Sequence, residues 1–334
     1  MTTARYGLDA AALLETVRRG DPLAIARAIT AIENRTVVGS ELSLAVQDLR
    51  GHCRTLGITG PPGAGKSSLI NVLMGELLPR YRRIGVLTVD PSSPISGGAV
   101  LGDRVRMAAH SANPDVFIRS LATRGHLGGV TRTSRAVIDL LAAAGMDLVI
   151  VETVGTGQSE VEVAELTNVR IVVCAPGLGD EMQAIKAGVL EVADLLVVNK
   201  SDLPDADRTT AHLKAMLHYR GHEERRSVLQ VSTLNGDGLP MLVDAIGARF
   251  AAPIERQLSV ATRGKSPRRE LANDVADLAA ALVRDSVDPR IDAIIAEMSR
   301  GALSRHDGVL AVIRVLAERD VLPDAVRLNE AASS

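Results

Sequence analysis

The stretch GPPGAGKSS, Gly60 to Ser68, decides the fold. From Gly60 to Ser67 it fits the pattern G-x-x-x-x-G-K-S, and its flanks say what the glycines are for. Before it runs TLGIT (Thr55–Thr59), a short β-leaning segment, and after it LINVLMGELL (Leu69–Leu78) carries apolar residues at helical spacing. The glycines therefore sit at a strand-to-helix turn. Lacking Cβ atoms, Gly60, Gly63 and Gly65 let backbone N–H groups converge on a di- or triphosphate at a helix N-terminus, where unpaired donors and the helix dipole favour anions. Pro61, Pro62, Ala64 and Ser68 complete the cradle. Lys66 is placed to reach the β and γ phosphates, and the Ser67 hydroxyl to ligate Mg²⁺.

Outward from this turn, strand-like and helical runs alternate from about residue 54 to 250. The strands are TLGIT, RIGVLTVD (Arg83–Asp90), DVFIRSL (Asp115–Leu121), DLVIVET (Asp147–Thr153), VRIVVCA (Val169–Ala175), DLLVVNK (Asp194–Lys200) and SVLQVST (Ser227–Thr233). Most are continuous apolar runs, as a parallel sheet covered on both faces requires. The expected fold is α/β, a doubly wound, mostly parallel sheet of the phosphate-loop NTPase kind. Residues 1–50 read as an N-terminal helical extension, with an Asp-Pro start signal at Asp21, and 51–252 as the nucleotide domain. Residues 253–334 read as helices only; Leu271, Val275, Leu278 and Leu282 form one stripe, and a further helix follows a break at Gly308. The stripe suits packing within the chain or a subunit interface equally.

Composition narrows the function classes. The chain has 334 residues, 46% of them hydrophobic, with a mean hydropathy of +0.14, and aromatics at only 1%, so its core must be Leu, Val, Ile and Ala. A net charge of −2 argues against a nucleic-acid partner, which normally leaves a basic excess. Cys53 and Cys174 are far apart and read as small buried hydrophobes in a reducing compartment. The first residues lack a signal-peptide core and no apolar run reaches membrane-spanning length, so the expectation is a cytoplasmic, soluble protein with no membrane partner.

The nucleotide's identity is read from NKSD, Asn199–Asp202, at the end of the sixth strand. In the N-K-x-D arrangement the Asp202 carboxylate accepts from guanine N1–H and N2–H₂, Asn199 supports the purine and the Lys200 stem lies along the ring. Adenine offers an acceptor where guanine offers a donor, so the carboxylate discriminates. After the next strand, Ser232, Thr233 and Leu234 would close over the base with backbone N–H groups. DLVIVETVGTGQSE (Asp147–Glu160) ends a strand in Glu152, where phosphate-loop enzymes hold Mg²⁺ or its waters, and Gly155 and Gly157 permit approach to a γ-phosphate. In VDPSSPISGGAVLGDRVRM (Val89–Met107), Asp90 ends a strand and a glycine-bearing loop long enough to switch leads to Asp103.

Taken together, GPPGAGKSSLI, VDPSSPISGGAVLGDRVRM, ATRGHLGGVTRTS, VIVETVGTGQSEV, PGLGDEMQAIKAGV and VVNKSDL resemble the MeaB/ArgK family, the methylmalonyl-CoA mutase-associated GTPases of the phosphate-loop metallochaperone group. The resemblance covers nearly the whole chain. It implies a GTPase of slow intrinsic rate that chaperones an adenosylcobalamin-dependent mutase, gating cofactor delivery and protecting the mutase. GTP or GDP and Mg²⁺ would be this chain's ligands, with adenosylcobalamin carried by the partner. It also implies a homodimer through the C-terminal helices. Residue by residue, it makes Lys66 and Ser67 the phosphate and Mg²⁺ residues, Asp90, Asp103 and Glu152 the metal and switch carboxylates, and Asp202 the guanine reader. PGLGDEMQAIKAGV, with Asp180, Glu181, Gln183 and Lys186, matches the switch that couples nucleotide state to the mutase. Ser201, Thr156 and Thr233 stand where the family usually has Ala, Val and Ala. Gln158 is available to orient the hydrolytic water, although it lies three residues after Gly155 instead of beside it.

The alternative is a GTP- or ATP-dependent kinase acting on an amino-acid transport protein, against which the guanine-reading NKSD speaks. A nickel-inserting GTPase would need metal ligands of its own, and seven scattered His with two distant Cys do not supply them.

Overall fold

The computed structural model describes residues 9–34, 36–49, 52–90, 110, 112–122, 129–153, 166–177, 193–219, 227–252, 272, 275, 276, 279, 282, 283 and 286–317. The chain divides into two compact units, Met1–Arg263 and Gly264–Ser334.

The first unit is built on seven parallel strands, one in each of the seven runs expected from sequence: β1 (Arg54–Thr59), β2 (Ile84–Asp90), β3 (Val116–Ala122), β4 (Leu148–Thr153), β5 (Val169–Cys174), β6 (Leu195–Val198) and β7 (Ser227–Gln230). Their spatial order is β3-β2-β4-β1-β5-β6-β7. The chain leaves β1 toward one edge and, after β4, continues toward the other. The order thus reverses at β1, and open α/β sheets bind ligands beyond the carboxyl ends of the strands at such a point.

Both faces of the sheet are covered, which is why the strands read as unbroken apolar runs. On one face α4 (Lys66–Leu77) and α7 (Leu239–Ala251) bury Leu69, Leu73, Leu242 and Ile246 against Ile58, Ile150, Ile171 and Val197. The other face takes α1 (Ala10–Arg18), α2 (Pro22–Glu33), α3 (Val37–Ala45) and α5 (Gly129–Ala143) over Leu87, Val149 and Val151. Beside them α6 (Ala206–Tyr219) packs Leu213 and Leu217 on Val172, Leu196 and Val198.

The N-terminal helices start where short polar side chains can cap them. Asp21 accepts from the Ala24 amide at 2.6 Å with Pro22 at the first helical position, as the Asp-Pro signal predicts, and Thr36 accepts from the Gly39 amide at 3.1 Å. Gly39 lets the backbones of α2 and α3 touch, since a Cβ there would lie 2.1 Å from the Ala31 carbonyl oxygen. Arg119 of β3 donates to Glu33 at 2.7 Å and Thr30 at 3.1 Å, tying α2 to the edge of the sheet.

In the second unit α8 (Pro289–Ser299) and α9 (Arg305–Ala317) pack Ile291 against Val315 and Leu316, with Leu282 alongside. Val275 is exposed, and Leu271 and Leu278 of the expected stripe lie outside the described residues. The expected break at Gly308 does not occur: α9 begins at Arg305 and the Gly308 amide bonds the Ser304 carbonyl at 2.9 Å. The glycine answers a packing need instead, because a Cβ there would meet Met298 Sδ at 2.3 Å.

Candidate functional site

The loop Gly60–Gly65 joins β1 to α4 at the point where the strand order reverses. Its three glycines have φ of +142°, +77° and +85° at Gly60, Gly63 and Gly65, a backbone that side chains resist. Two of them are also held close to other elements. A Cβ on Gly60 would stand 2.1 Å from the Val173 carbonyl oxygen of β5, and one on Gly65 would stand 2.4 Å from Nδ2 of Asn199. Gly65 caps α4 without any side-chain bond, and the helix N-terminus opens directly from the glycine loop.

Lys66 is buried, and its Nζ donates to the carbonyl oxygens of Gly60 at 2.9 Å and Pro61 at 3.2 Å. The ammonium is thereby held over the loop, not extended into solvent. Ser67, the second residue of α4, donates from Oγ to Oε1 of Glu152 at 2.9 Å. Glu152 is the fifth residue of β4, whose neighbour on the phosphate-loop side is β1, and it is 2% exposed. A hydroxyl and a carboxylate within hydrogen-bond reach, both buried below the phosphate loop, form the hard-oxygen set that Mg²⁺ prefers. Asp90 ends β2, the other neighbour of β4, and pairs in register with Ala122; its side chain lies outside the described residues. Asp103, Gln158, Asp180, Glu181, Gln183 and Lys186 lie outside them as well. Among the described residues no group of three or more His, Cys, Asp or Glu could hold a metal.

The residues expected to read guanine come from the loops after β6 and β7. Asn199 is fully buried and its Nδ2 donates to the carbonyl oxygens of Ala64 at 3.0 Å and Gly65 at 3.4 Å, so the side chain braces the phosphate loop. Lys200 takes a positive φ of 57° and places its Cε 3.9 Å from where a Gly65 Cβ would be. That φ turns the chain so that Ser201 bonds the Val231 carbonyl and Asp202 emerges exposed. Ser232, fully buried, donates from Oγ to Asp202 Oδ1 and accepts from the Leu234 amide at 3.3 Å. The two loops thus reach the same place, and Leu234, 84% exposed, stands at its rim.

Thr59 and Thr153 are residues that sequence reading missed. Thr153 Oγ1 donates to Thr59 Oγ1 at 2.8 Å, with both side chains buried. The available signal was a hydroxyl at the end of each of two apolar runs; only strand pairing shows that they meet.

A family model described as Methylmalonyl Co-A mutase-associated GTPase MeaB matches residues 25–293. A "Probable GTPase" of Mycobacterium tuberculosis is 39% identical over 289 residues, 84% of this chain and 84% of its own. "GTPase ArgK" of Escherichia coli is 42% identical over 202 residues, 58% of this chain and 61% of its own. The mouse protein "Methylmalonic aciduria type A homolog, mitochondrial" is 37% identical over 248 residues, 68% of this chain and 60% of its own. Among solved structures, one described as "Crystal structure of LAO/AO transport system kinase" shares the fold with a TM-score of 0.64 at 24% identity, covering 94% of this chain and 99% of that one. With the family model spanning most of the sequence, the chain belongs to the MeaB family of methylmalonyl-CoA mutase-associated GTPases.

Proposed function

We propose that this GTPase is a chaperone for an adenosylcobalamin-dependent mutase, with methylmalonyl-CoA mutase the first candidate, and that GTP hydrolysis gates cofactor delivery to the mutase and protects it. The observation that carries the GTPase half is the Ser67–Glu152 pair beneath a glycine loop that already holds Lys66 in place. The partner half rests on family membership.

Hydrolysis of the γ-phosphate asks mainly for positioning and for positive charge where negative charge develops. The amides at the start of α4 receive the phosphates, and Lys66 lies across the loop with its ammonium anchored on two carbonyls. Ser67 and Glu152 would hold Mg²⁺, which supplies charge neutralisation on the β- and γ-oxygens. Asp202, oriented by Ser232, reads guanine, while Asn199 fixes the phosphate loop to the strand that carries the reader. Asp90, Asp103 and Gln158 are proposed to complete the metal and water shell, and Asp180, Glu181, Gln183 and Lys186 to couple nucleotide state to the mutase.

A homodimer fits the second unit. Ile295 of α8 and Val309 and Ile313 of α9 are each about half exposed, and the latter two stand four residues apart on one helical face. Sedimentation of the whole chain tests this; a monomer at micromolar concentration rejects it.

The kinase reading has a counterpart in the name of one structural relative, whose 24% identity establishes a shared fold alone. Labelled γ-phosphate from GTP released to water supports hydrolysis; label on a transport protein reverses the choice. The chaperone reading is tested by GTP turnover with and without methylmalonyl-CoA mutase. The mutase should raise turnover, and replacing Gln183 and Lys186 by Ala should remove that rise while basal turnover persists. Equal rates with and without the mutase reject it as the partner.

A further inference from the structure

We propose that Thr59 and Thr153 are positioning residues for Glu152, fixing its carboxylate on Ser67 and so setting the protein's response to Mg²⁺. The proposal rests on the reading of Glu152 as a metal carboxylate.

The paired register of β1 and β4 ends at Ile58 opposite Glu152. The next residue on each strand is a threonine, and there a side-chain bond, Thr153 Oγ1 to Thr59 Oγ1 at 2.8 Å, joins the two chains where the loops diverge. Thr153 is fully buried and Thr59 is 4% exposed. A buried hydroxyl without a partner is costly, and here the Thr153 hydroxyl donates to that of Thr59.

Strand alternation gives the pair its consequence. Glu152 shares its face with Ile150, which packs under α4, whereas Thr153 shares the opposite face with Val151, which packs under α5. The Glu152–Thr153 dipeptide is therefore held twice, to Ser67 on one face and to Thr59 on the other. Both anchors belong to one segment, 59–67, which also contains Gly60, whose carbonyl receives Lys66 Nζ. Tilting the end of β4 to swing Glu152 away from Ser67 requires breaking the threonine pair. The hydroxyls thus act on the metal carboxylate through the backbone of β4.

The test uses the full chain with Mg²⁺ and a fluorescent GDP analogue, reading the Mg²⁺ concentration that half-slows nucleotide release. Thr153→Val and Thr59→Val, which keep shape and remove the bond, should each raise that concentration about 3- to 10-fold, the range that one buried hydrogen bond supports. The double variant should shift no further than either single one, and Thr153→Ser should restore the wild-type value. A Mg²⁺ midpoint unmoved in both valine variants, even with a lowered Tm, overturns the proposal, as do additive shifts. Should Thr153→Val fail to fold, Thr59→Val removes the same bond from its other end and is read by the same outcomes. Glu152→Gln separates the two layers: if it leaves the midpoint in place, the metal reading of Glu152 falls. If it moves the midpoint and the threonine variants do not, only the positioning role falls.

Discussion

Ser67 Oγ donates to Glu152 Oε1 at 2.9 Å, joining residues 85 apart in the chain. The contact links the helix that opens the phosphate site to the end of the adjacent strand, and both side chains are almost fully buried. A carboxylate is kept in such a place when something compensates its desolvation. A serine proton does so here, and Mg²⁺ would do so more strongly.

Lys66→Ala removes the ammonium that spans the loop. GTP turnover should fall by at least about 10²-fold, because on the proposed reading that charge faces the phosphates. Single-turnover hydrolysis within about twofold of wild type would remove Lys66 from the site.

Gly60→Ala and Gly63→Ala should differ in severity. Both glycines have positive φ, but the new Cβ meets the Val173 carbonyl at 2.1 Å in the first case and nothing within 4 Å in the second. Gly63→Ala should cost about 1–2 kcal/mol of stability, the penalty of a left-handed residue with a Cβ. Gly60→Ala should cost more and abolish nucleotide binding. Urea denaturation of the two variants in the opposite order contradicts this account.

Asp202→Asn replaces a carboxylate oxygen by a donor that faces guanine N1–H or N2–H₂. Xanthine carries a C2 carbonyl in place of the amino group, which suits the new donor. Sites that read such bonds reject the mismatched analogue by about 10⁴-fold, so preference should pass from GTP to XTP. Competition of GTP, XTP and ATP against a labelled nucleotide reads it directly; a variant that still prefers GTP refutes Asp202 as the base reader.

Gly39→Ala should destabilise the N-terminal helices although alanine is the better helix former. The propensity gain is about 1 kcal/mol. Against it stands a Cβ 2.1 Å from the Ala31 carbonyl oxygen and 2.4 Å from its carbon, both backbone atoms that cannot move without separating α2 from α3. The net loss should be about 1–3 kcal/mol. A raised Tm would mean that the helices can part cheaply.

Burial pushes the Cys174 thiol from its ordinary 9.0 up to about 12, and burial together with the Asp139 charge does the same for Cys53. The folded values lie above the unfolded ones, so stability is undiminished below about pH 9 and declines as pH rises from there toward 12. Near pH 8 neither thiol should react with iodoacetamide until denaturant is added, because the thiolate is the reactive form. Rapid labelling of the native chain would show that one of them opens to solvent.

All seven strands were legible in the sequence because their signal is local. A strand buried on both faces must be apolar throughout, and the glycines of GPPGAGKSS and the Asp-Pro before α2 act on their own backbone. Lys66 and Ser67 were legible for the same reason, since the loop and helix start that orient them lie within a few residues. Glu152 could be placed at a strand end, but its bond to Ser67 could not be read without the pairing of β1 with β4. Gly308 read as a break because a glycine's backbone freedom is visible in sequence, whereas the Met298 side chain that fills its space is not.

The sequence by itself determined the element types, the phosphate loop, the order of the site residues and the family, all of which depend on local pattern. Only the tertiary structure decided that Asn199 braces Ala64 and Gly65, that Ser232 holds Asp202, and that Thr59 meets Thr153. Each of these is a short-range bond between side chains or loops far apart in sequence. Its existence depends on strand order and register, which are set by how the whole apolar core closes around β1 and which no single segment encodes.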